Sequence, residues 1–564
     1  MSDRRSRAFI AAMLVSTICC GCTQGLFDND RTTYRVAPER LKKIAMTDVV
    51  AESKAPPVDA DEATRNALAK GDPMPTWPAR MEISLADVRE STLKNNLDLR
   101  TQLVEPAIAR RTLDAERAKF EATLIASYLR SGANQFTDPA FGDPVDSDTA
   151  SLGVQVPLIT GGTIDVLGQL QRVDTNGGVS LDGSGGWGSG VGFSISQPLL
   201  RNAGAAVNTA SIRIAEHDGQ IASARTKLET IRILADADKA YWSLYGAFRD
   251  LEVRQQQFEL ARAQLERARR RVLQGDAAEI EVTRAESGLG GTLENIIVAT
   301  ATLKERVRAL KRLMNRPDLP IESETLLVPA TLPNPLGLKL DSTDLANRAV
   351  ENRMEMLELE LSLASRAIEI EVARNQTLPV FALDYSYTPF GRGDGFGSAF
   401  SNIGDFEEDA YTFSLNGQIP LGNEVAKNRL GRAVLLRLQR LATKDARRQS
   451  IRTEVFDAVV RLETAWQRIL AARLETTLAA RTYEGEKRQF DVGVRTSQDV
   501  LDASARLADA QSREVNALAG WQNAMVDIAF ATGTLPGMAG AQWAAIDVDE
   551  LERASWGDLD VPRE

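Results

Sequence analysis

An apolar step of seven residues, written twice, limits what this chain can fold into more than any other feature. In the first copy Leu244, Leu251, Phe258, Leu265 and Val272 recur at every seventh position. In the second, Leu462, Ile469, Thr476, Tyr483 and Phe490 do the same, with Thr476 the one polar member. Such a step keeps one seam of a helix against a partner and favours left-handed coiling. The first pattern runs from near Asn208 to Gln274, a helix about 100 Å long at 1.5 Å per residue. A glycine breaks each pattern: Gly275 in "RRRVLQGDAAEIEVTRAES" and Gly493 in "EKRQFDVGVRTSQDVLDASARLADAQ", 218 positions apart. Glycine accepts the left-handed conformation that ends a helix. Thr496 or Ser497 can cap the helix that follows, with Asp499 in its first turn. Two long helical hairpins are therefore expected, lying side by side with Gly275 and Gly493 at the same end.

The offset of 218 also lays Ala240 on Ala458, Leu244 on Leu462, Val282 on Val500, Ala285 on Ala503 and Ala299 on Ala517. Ahead of it, "TLKNNLDL" (92–99) matches "AVENRMEM" (349–356) at an offset near 257. The first copy thus holds roughly 35–40 more residues in its middle than the second. The Pro-rich "LPNPLG" at 332–337 separates the copies. The expected organisation is a signal segment (1–21), an extended polar segment (22–80), repeat 1 (81–335), repeat 2 (336–535) and an acidic tail (536–564).

The middle of each repeat changes to period two. "GVGFSISQPLL", "FALDYSY" and "YTFSLNGQIPL" alternate apolar or aromatic residues with small or polar ones. That alternation fits lipid-facing strands of a membrane barrel, and an exported soluble sheet would share it. Six strands are expected, at about 122–130, 151–159, 163–173, 190–197, 379–387 and 410–417. Four fall in repeat 1 and two in repeat 2. The pair at 151–173 surrounds a "TGG" turn signal and has the length to cross a bilayer at a tilt. Leu152, Val154, Val156 and Leu158 favour its insertion beside the other strands. Pro157 counts against a central strand and leaves open a hairpin outside the sheet. "TNGGVSLDGSGGWGSG" and "GRGDGFGSAFSNIGDFEED" are expected as flexible loops, since neither follows the phosphate-binding pattern.

Composition removes several classes of function. The formal net charge of −11 argues against a nucleic-acid surface. The single histidine, His217, lies in a polar helical stretch and leaves no material for a histidine-based catalytic or metal site. G-x-S-x-G and H-E-x-x-H motifs are absent, so no enzyme, cofactor or metal is expected. The three cysteines, Cys19, Cys20 and Cys22, follow a basic segment (Arg4, Arg5, Arg7) and a short apolar stretch from Ala8 to Ile18. This reads as an export signal. Gly21 before Cys22 resembles a bacterial lipoprotein signal, in which that cysteine is acylated and becomes the mature N-terminus; an ordinary signal peptide is the other reading. No segment approaches the about 20 uninterrupted apolar residues of a transmembrane helix.

Helix, strands, long helix, glycine turn and helix, written twice behind an export signal, resemble the TolC-like outer-membrane efflux channel family over about residues 85–540. The sharpest part is "FDVGVRTSQDVLDA" (490–503), similar to the family's second hairpin tip; "SQPLLRNAG" and "GQIPLGN" resemble its strand-to-helix junctions. The resemblance implies a membrane β-barrel joined to an α-helical tunnel, built by a homotrimer whose members usually give four strands each. It implies a place in the outer membrane, lipid-anchored and reaching into the periplasm. It also implies partners, a periplasmic adaptor and an inner-membrane pump of RND or ABC type, for efflux or type I secretion. The family's acidic ring at the entrance matches Asp499 and Asp502. A family arginine that links neighbouring hairpins matches Arg495, and its acidic partner matches Glu281. Three apart on a helix, Asp499 and Asp502 share a face; read alone, they are equally capping and solvent-facing charges. A lipid-anchored periplasmic adaptor is the alternative, but adaptors carry one hairpin beside a compact β-domain, whereas this chain has two full repeats.

Overall fold

The computed structural model describes residues 77–133, 145–175, 186–393, 395–405 and 408–538. Cys22 and most of the N-terminal segment and acidic tail lie outside them. The chain opens with a short strand β1 (Arg80–Ile83), which pairs in parallel with β6 (Leu326–Pro329). Ser84 then starts helix α1 (Leu85–Asn95): its hydroxyl accepts from the Asp87 N–H, and the Asp87 carboxylate accepts from the Ser84 N–H, a reciprocal cap. Helix α2 (Leu97–Arg117) follows. Its Pro106 cannot bond the Gln102 carbonyl four residues back. Thr226 of the neighbouring long helix donates to that carbonyl at 3.0 Å.

Four strands come next: β2 (Thr123–Ala133), β3 (Val145–Pro157), β4 (Thr163–Thr175) and β5 (Trp187–Pro198). Then come the first long helix, α3 (Ala210–Leu273), and α4 (Ile280–Met314). Repeat 2 runs α5 (Ser342–Asn352), α6 (Met354–Asn375), β7 (Val380–Gly393), the short α7 (Phe396–Ser401), β8 (Glu408–Gln418), α8 (Glu424–Asp491) and α9 (Ser497–Ala531). At 64 and 68 residues, α3 and α8 are roughly 95–100 Å long. The seam residues Leu244, Leu251, Phe258, Leu265, Leu462, Ile469 and Phe490 are buried. Hairpin α3–α4 packs on hairpin α8–α9 through α3 and α9.

The six expected strands form one antiparallel sheet in the order β2-β3-β4-β5-β7-β8, and β1 and β6, which alternation did not signal, form a separate pair. The pair β3–β4 is inserted between β2 and β5, hydrogen-bonded on both flanks. This decides the question that Pro157 left open. Pro157 is the last residue of β3, beyond the point where β2 stops pairing at Gln155, so its missing N–H removes no bond to that strand. The strands are also longer than alternation suggested, extending at the end remote from the helices. At the end next to the helices β3 and β4 turn at 158–162, where Leu158 and Gly161 close a tight turn.

Register sorts the two faces. Leu124, Val154, Val166, Phe193, Tyr387 and Tyr411 make one continuous cross-strand row. All but Tyr387 are exposed, Leu124 and Tyr411 most of all. The opposite face carries hydrogen-bonded polar groups: Ser127 with Ser151 (2.6 Å), Ser196 to Asp384 (2.6 Å) and Asn416 to Asp384 (2.7 Å). The glycine-rich stretch 391–409, expected as a flexible loop, instead contains helix α7. Glycines at 391 and 393 allow it to lie on the strand, because a Cβ at Gly391 would run into the Ala399 carbonyl. Trp187 to Gly190, at the end of the other glycine-rich stretch, belong to β5. His217, in its polar helical stretch, is half-buried and hydrogen-bonded to Ser365 at 3.1 Å.

The largest core lies where β1, β6, α1 and the middle of α3 meet, around Tyr241, Trp242, Leu244 and Leu327. Tyr241 accepts from the Thr331 N–H at 2.8 Å. Beside it Arg89 holds Asp238 through two bonds of 2.8 and 2.7 Å, with the aspartate fully buried. Removing one partner of such a pair strands a charge in low dielectric, at a cost of about 3–5 kcal/mol. Arg89→Ala should therefore lower the denaturation midpoint far more than Arg89→Ala combined with Asp238→Asn, a difference that parallel unfolding curves measure.

Candidate functional site

Both glycine turns have the same geometry. Gly275 has φ +81° and donates to the Val272 carbonyl at 3.0 Å; the next N–H, of Asp276, reaches Arg271 at 2.9 Å. Gly493 has φ +81° and donates to Phe490 at 2.9 Å, and the Val494 N–H reaches Gln489 at 2.9 Å. This double closure satisfies the last helical carbonyls and requires a left-handed residue at its centre. No atom lies near either glycine's missing Cβ, so conformation alone selects glycine there.

The restarts differ, and the difference joins the tips. In repeat 2, Thr496 caps α9: its hydroxyl accepts from the Asp499 N–H, and the Asp499 carboxylate accepts the Thr496 N–H and hydroxyl, each at 2.9 Å. Those Thr496 donors, main chain before side chain, hold the Asp499 carboxyl below the usual aspartate range. The cap is therefore in place above the ordinary aspartate pKa and is lost only as pH falls through the lowered value. In repeat 1 the position matching Thr496 is Ala278, and α4 has no side-chain cap. The residue matching Asp499 is Glu281. With no cap to complete on its own helix, Glu281 reaches the other hairpin and accepts the Ser497 N–H at 3.1 Å. Its second oxygen takes Arg284 at 2.8 Å.

Further contacts tie the tips together. Gln264 donates to the Ser497 hydroxyl at 3.1 Å, with both residues buried. The Arg271 guanidinium lies 5.0 Å over the Phe490 ring. Together with Ala268, Asp276 and Thr496, several of these residues line a cavity of about 190 Å³. Spacing alone did not single out Gln264, Arg271 or Ser497 as joining residues; the signal was the loss of a capping residue at Ala278 beside a retained acid.

Arg495 departs from the pairing that the resemblance implied. It lines the same cavity as Glu281 but pairs with Glu486 of its own hairpin at 3.1 Å and donates to Gln489 at 3.1 Å. Within one chain the link between hairpins runs instead from Glu281 to the start of α9. Asp502 is exposed and accepts from Gln498 at 2.7 Å. Its match in repeat 1 is Arg284, which neutralises Glu281. At the positions matching Glu281 and Arg284, repeat 2 therefore carries two acids, Asp499 and Asp502, beside Asp276 and Glu279 of the repeat-1 tip.

Two blocks of the chain, 163–316 and 345–534, match the family described as Outer membrane efflux protein, one block in each repeat. The chain belongs to this family of outer-membrane efflux channels. TolC of Vibrio cholerae serotype O1 is 26% identical over 360 residues, covering 61% of this chain and 76% of the relative. Among solved structures, the outer-membrane channel CmeC of Campylobacter jejuni superposes with TM-score 0.59 at 17% identity, covering 84% of this chain and 90% of the other. The open state of the channel MtrE of Neisseria gonorrhoeae gives 0.59 at 17% identity, covering 82% and 95%. These structures share the fold with this efflux protein: long helices with a β-domain at one end.

If Glu281 caps α9, Glu281→Ala should free the Ser497 amide and loosen the restart of repeat 2. Its hydrogen exchange should speed several-fold, while Arg495→Ala should leave that amide nearly unchanged. Equal acceleration in the two variants would show that the cross-hairpin bond does not hold the tip.

Proposed function

We propose that three copies of this chain form an outer-membrane exit duct, with the six-stranded sheets closing into one barrel and the hairpins forming a tunnel below it. One observation carries the reading: the sheet has an apolar face and two unpaired edges, β2 and β8. Open edges are not viable in lipid, where each unpaired backbone group costs several kcal/mol. With six antiparallel strands, β2 and β8 run in opposite directions, so the β8 edge of one copy meets the β2 edge of the next in antiparallel sense. Three sheets make eighteen strands; at about 4.8 Å spacing and a tilt of about 40°, the barrel is about 36 Å across, against about 24 Å for twelve strands. The long helices have a matching need. Leu435, Leu438, Val460, Leu470, Leu474 and Leu478 leave an exposed apolar stripe along α8, which a neighbouring copy would cover. The polar face of the sheet would line the pore.

The glycine tips lie at the end remote from the sheet, which supports their role as the periplasmic entrance that meets an adaptor and, through it, an inner-membrane pump. Three copies of Asp499 and Asp502 around the axis would focus negative potential there. Acylation of Cys22 would add an anchor, which intact mass of the mature N-terminus checks. The adaptor alternative asks for a single hairpin and is not favoured.

A cysteine at Ser127 on β2, combined in turn with one at Thr412, Ser414 or Asn416 on β8, should crosslink into trimers under oxidation, with no product beyond three chains. Crosslinks that stop at dimers or run on into higher ladders would reject the closed trimeric barrel. In planar bilayers, Asp502→Asn should weaken block by multivalent cations partially, and Asp499→Asn with Asp502→Asn more so. Asp502→Asn leaves the Thr496 cap intact, so its effect reads charge alone. Block identical to the parent in the double variant would make these two residues ordinary surface charges.

A further inference from the structure

Helix α7 lies on a face of the sheet that the pore does not need. Along β7, Leu383, Tyr385 and Tyr387 point to the apolar face, and the alternation continues unbroken to Gly391 and Gly393. Those two glycines leave the space that α7 occupies. Ser189, which shares a face with Val191 and Phe193 on β5, is buried and donates to the Ala399 carbonyl at 2.7 Å. Trp187 of the same face meets Phe396 edge to face, 6.4 Å between centroids. Phe396 stacks on Phe400 at 6.2 Å. Yet Phe396 and Phe400 are 55% and 59% exposed, so more than half of each ring has no cover within the chain.

The position along the strand is also informative. From Pro198 to Trp187 the strand covers about 36 Å, or roughly 28 Å of height at a tilt of about 40°. A lipid-facing apolar band is about 25 Å tall, flanked by aromatic girdles at its boundaries. The aromatic cluster therefore falls at the outer boundary. Charge appears at the same level: Arg130, Asp148, Arg172 and Trp187 form one cross-strand row, and the Arg172 guanidinium lies 5.7 Å over the Trp187 ring.

We propose that α7 is a membrane-surface anchor, folded against the outside of the barrel wall with Phe396 and Phe400 set into the lipid interface, and that it takes no part in covering the pore mouth. The occupant is a lipid surface, because on β5 the apolar face continues from Phe193 through Val191 to the α7 cluster, and charges gather at that level, from Asp409 beside Pro389 on β8 to the Arg130–Asp148–Arg172 row. Aromatic rings suit that boundary, since they are apolar in body and tolerate the headgroup region. The proposal rests on the barrel reading above.

Nitroxide labels placed one at a time at Phe400→Cys, Tyr387→Cys and Ser386→Cys, in protein reconstituted into phosphatidylethanolamine–phosphatidylglycerol vesicles, test it. Collision with oxygen is compared with collision with a water-soluble nickel chelate. The unsubstituted protein, taken through the same labelling, gives the background from Cys19, Cys20 and Cys22. The label at 400 should favour oxygen several-fold over the label at 386, at a shallower depth than the label at 387. A label at 400 that meets nickel as freely as the one at 386, while 387 stays protected, overturns the anchor and leaves the barrel standing. Nickel access at 387 equal to that at 386 overturns the barrel reading, and the anchor with it.

Discussion

A β-sheet edge holds a row of backbone donors and acceptors that must find partners, and in hydrocarbon water cannot supply them. The proposed barrel answers that requirement in this molecule. Its sheet ends in two such edges, β2 and β8, and carries an apolar row from Leu124 to Tyr411. A single copy leaves both surfaces unsatisfied. The even number of strands makes the edges antiparallel to each other, so closure by further copies needs no change within the chain. The exposed apolar stripe of α8 states the same need in the helices.

The two repeats share a plan and diverge at two places. Helices α1 and α5 begin at Leu85 and Ser342, and α2 and α6 at Leu97 and Met354, keeping the offset near 257. Beyond the strands, α3 and α8 end at Leu273 and Asp491, keeping the offset of 218. The difference is taken up by β3 and β4, inserted where repeat 2 pairs β7 directly with β8. The second divergence is smaller in sequence but alters the tip. Replacing a capping threonine by Ala278 leaves one acid without its local task, and Glu281 then caps the neighbouring hairpin. The matching positions then differ in charge, with Glu281 paired to Arg284 in repeat 1 and two acids, Asp499 and Asp502, in repeat 2.

The helices, their glycine breaks and the six strands were legible in the sequence because each depends on local periodicity and local backbone conformation. A seven-residue step, an alternation of two and a glycine at a helix end each act within a few residues. Loop composition was less informative. The glycines of 391–409 signalled freedom of backbone, but at Gly391 and Gly393 the missing Cβ makes room for a helix that packs on the strand.

Pairing across the fold was not legible. Pro157 spoke against a central strand, and only the register showed it lying past the end of the β2 ladder. Arg495 and Glu281 could be placed near each other by resemblance, yet the arginine turns to Glu486 in its own hairpin. By itself the sequence determined the repeat, the hairpins and the six strands of the large sheet, but not the short β1–β6 pair, since the former follow from residue type and spacing. Only the tertiary structure decided the insertion of β3–β4, the face on which α7 lies and the bond that joins the tips. Those depend on which distant backbone groups and carboxylates meet, and a side chain near several partners takes the one that three-dimensional packing brings within hydrogen-bond reach.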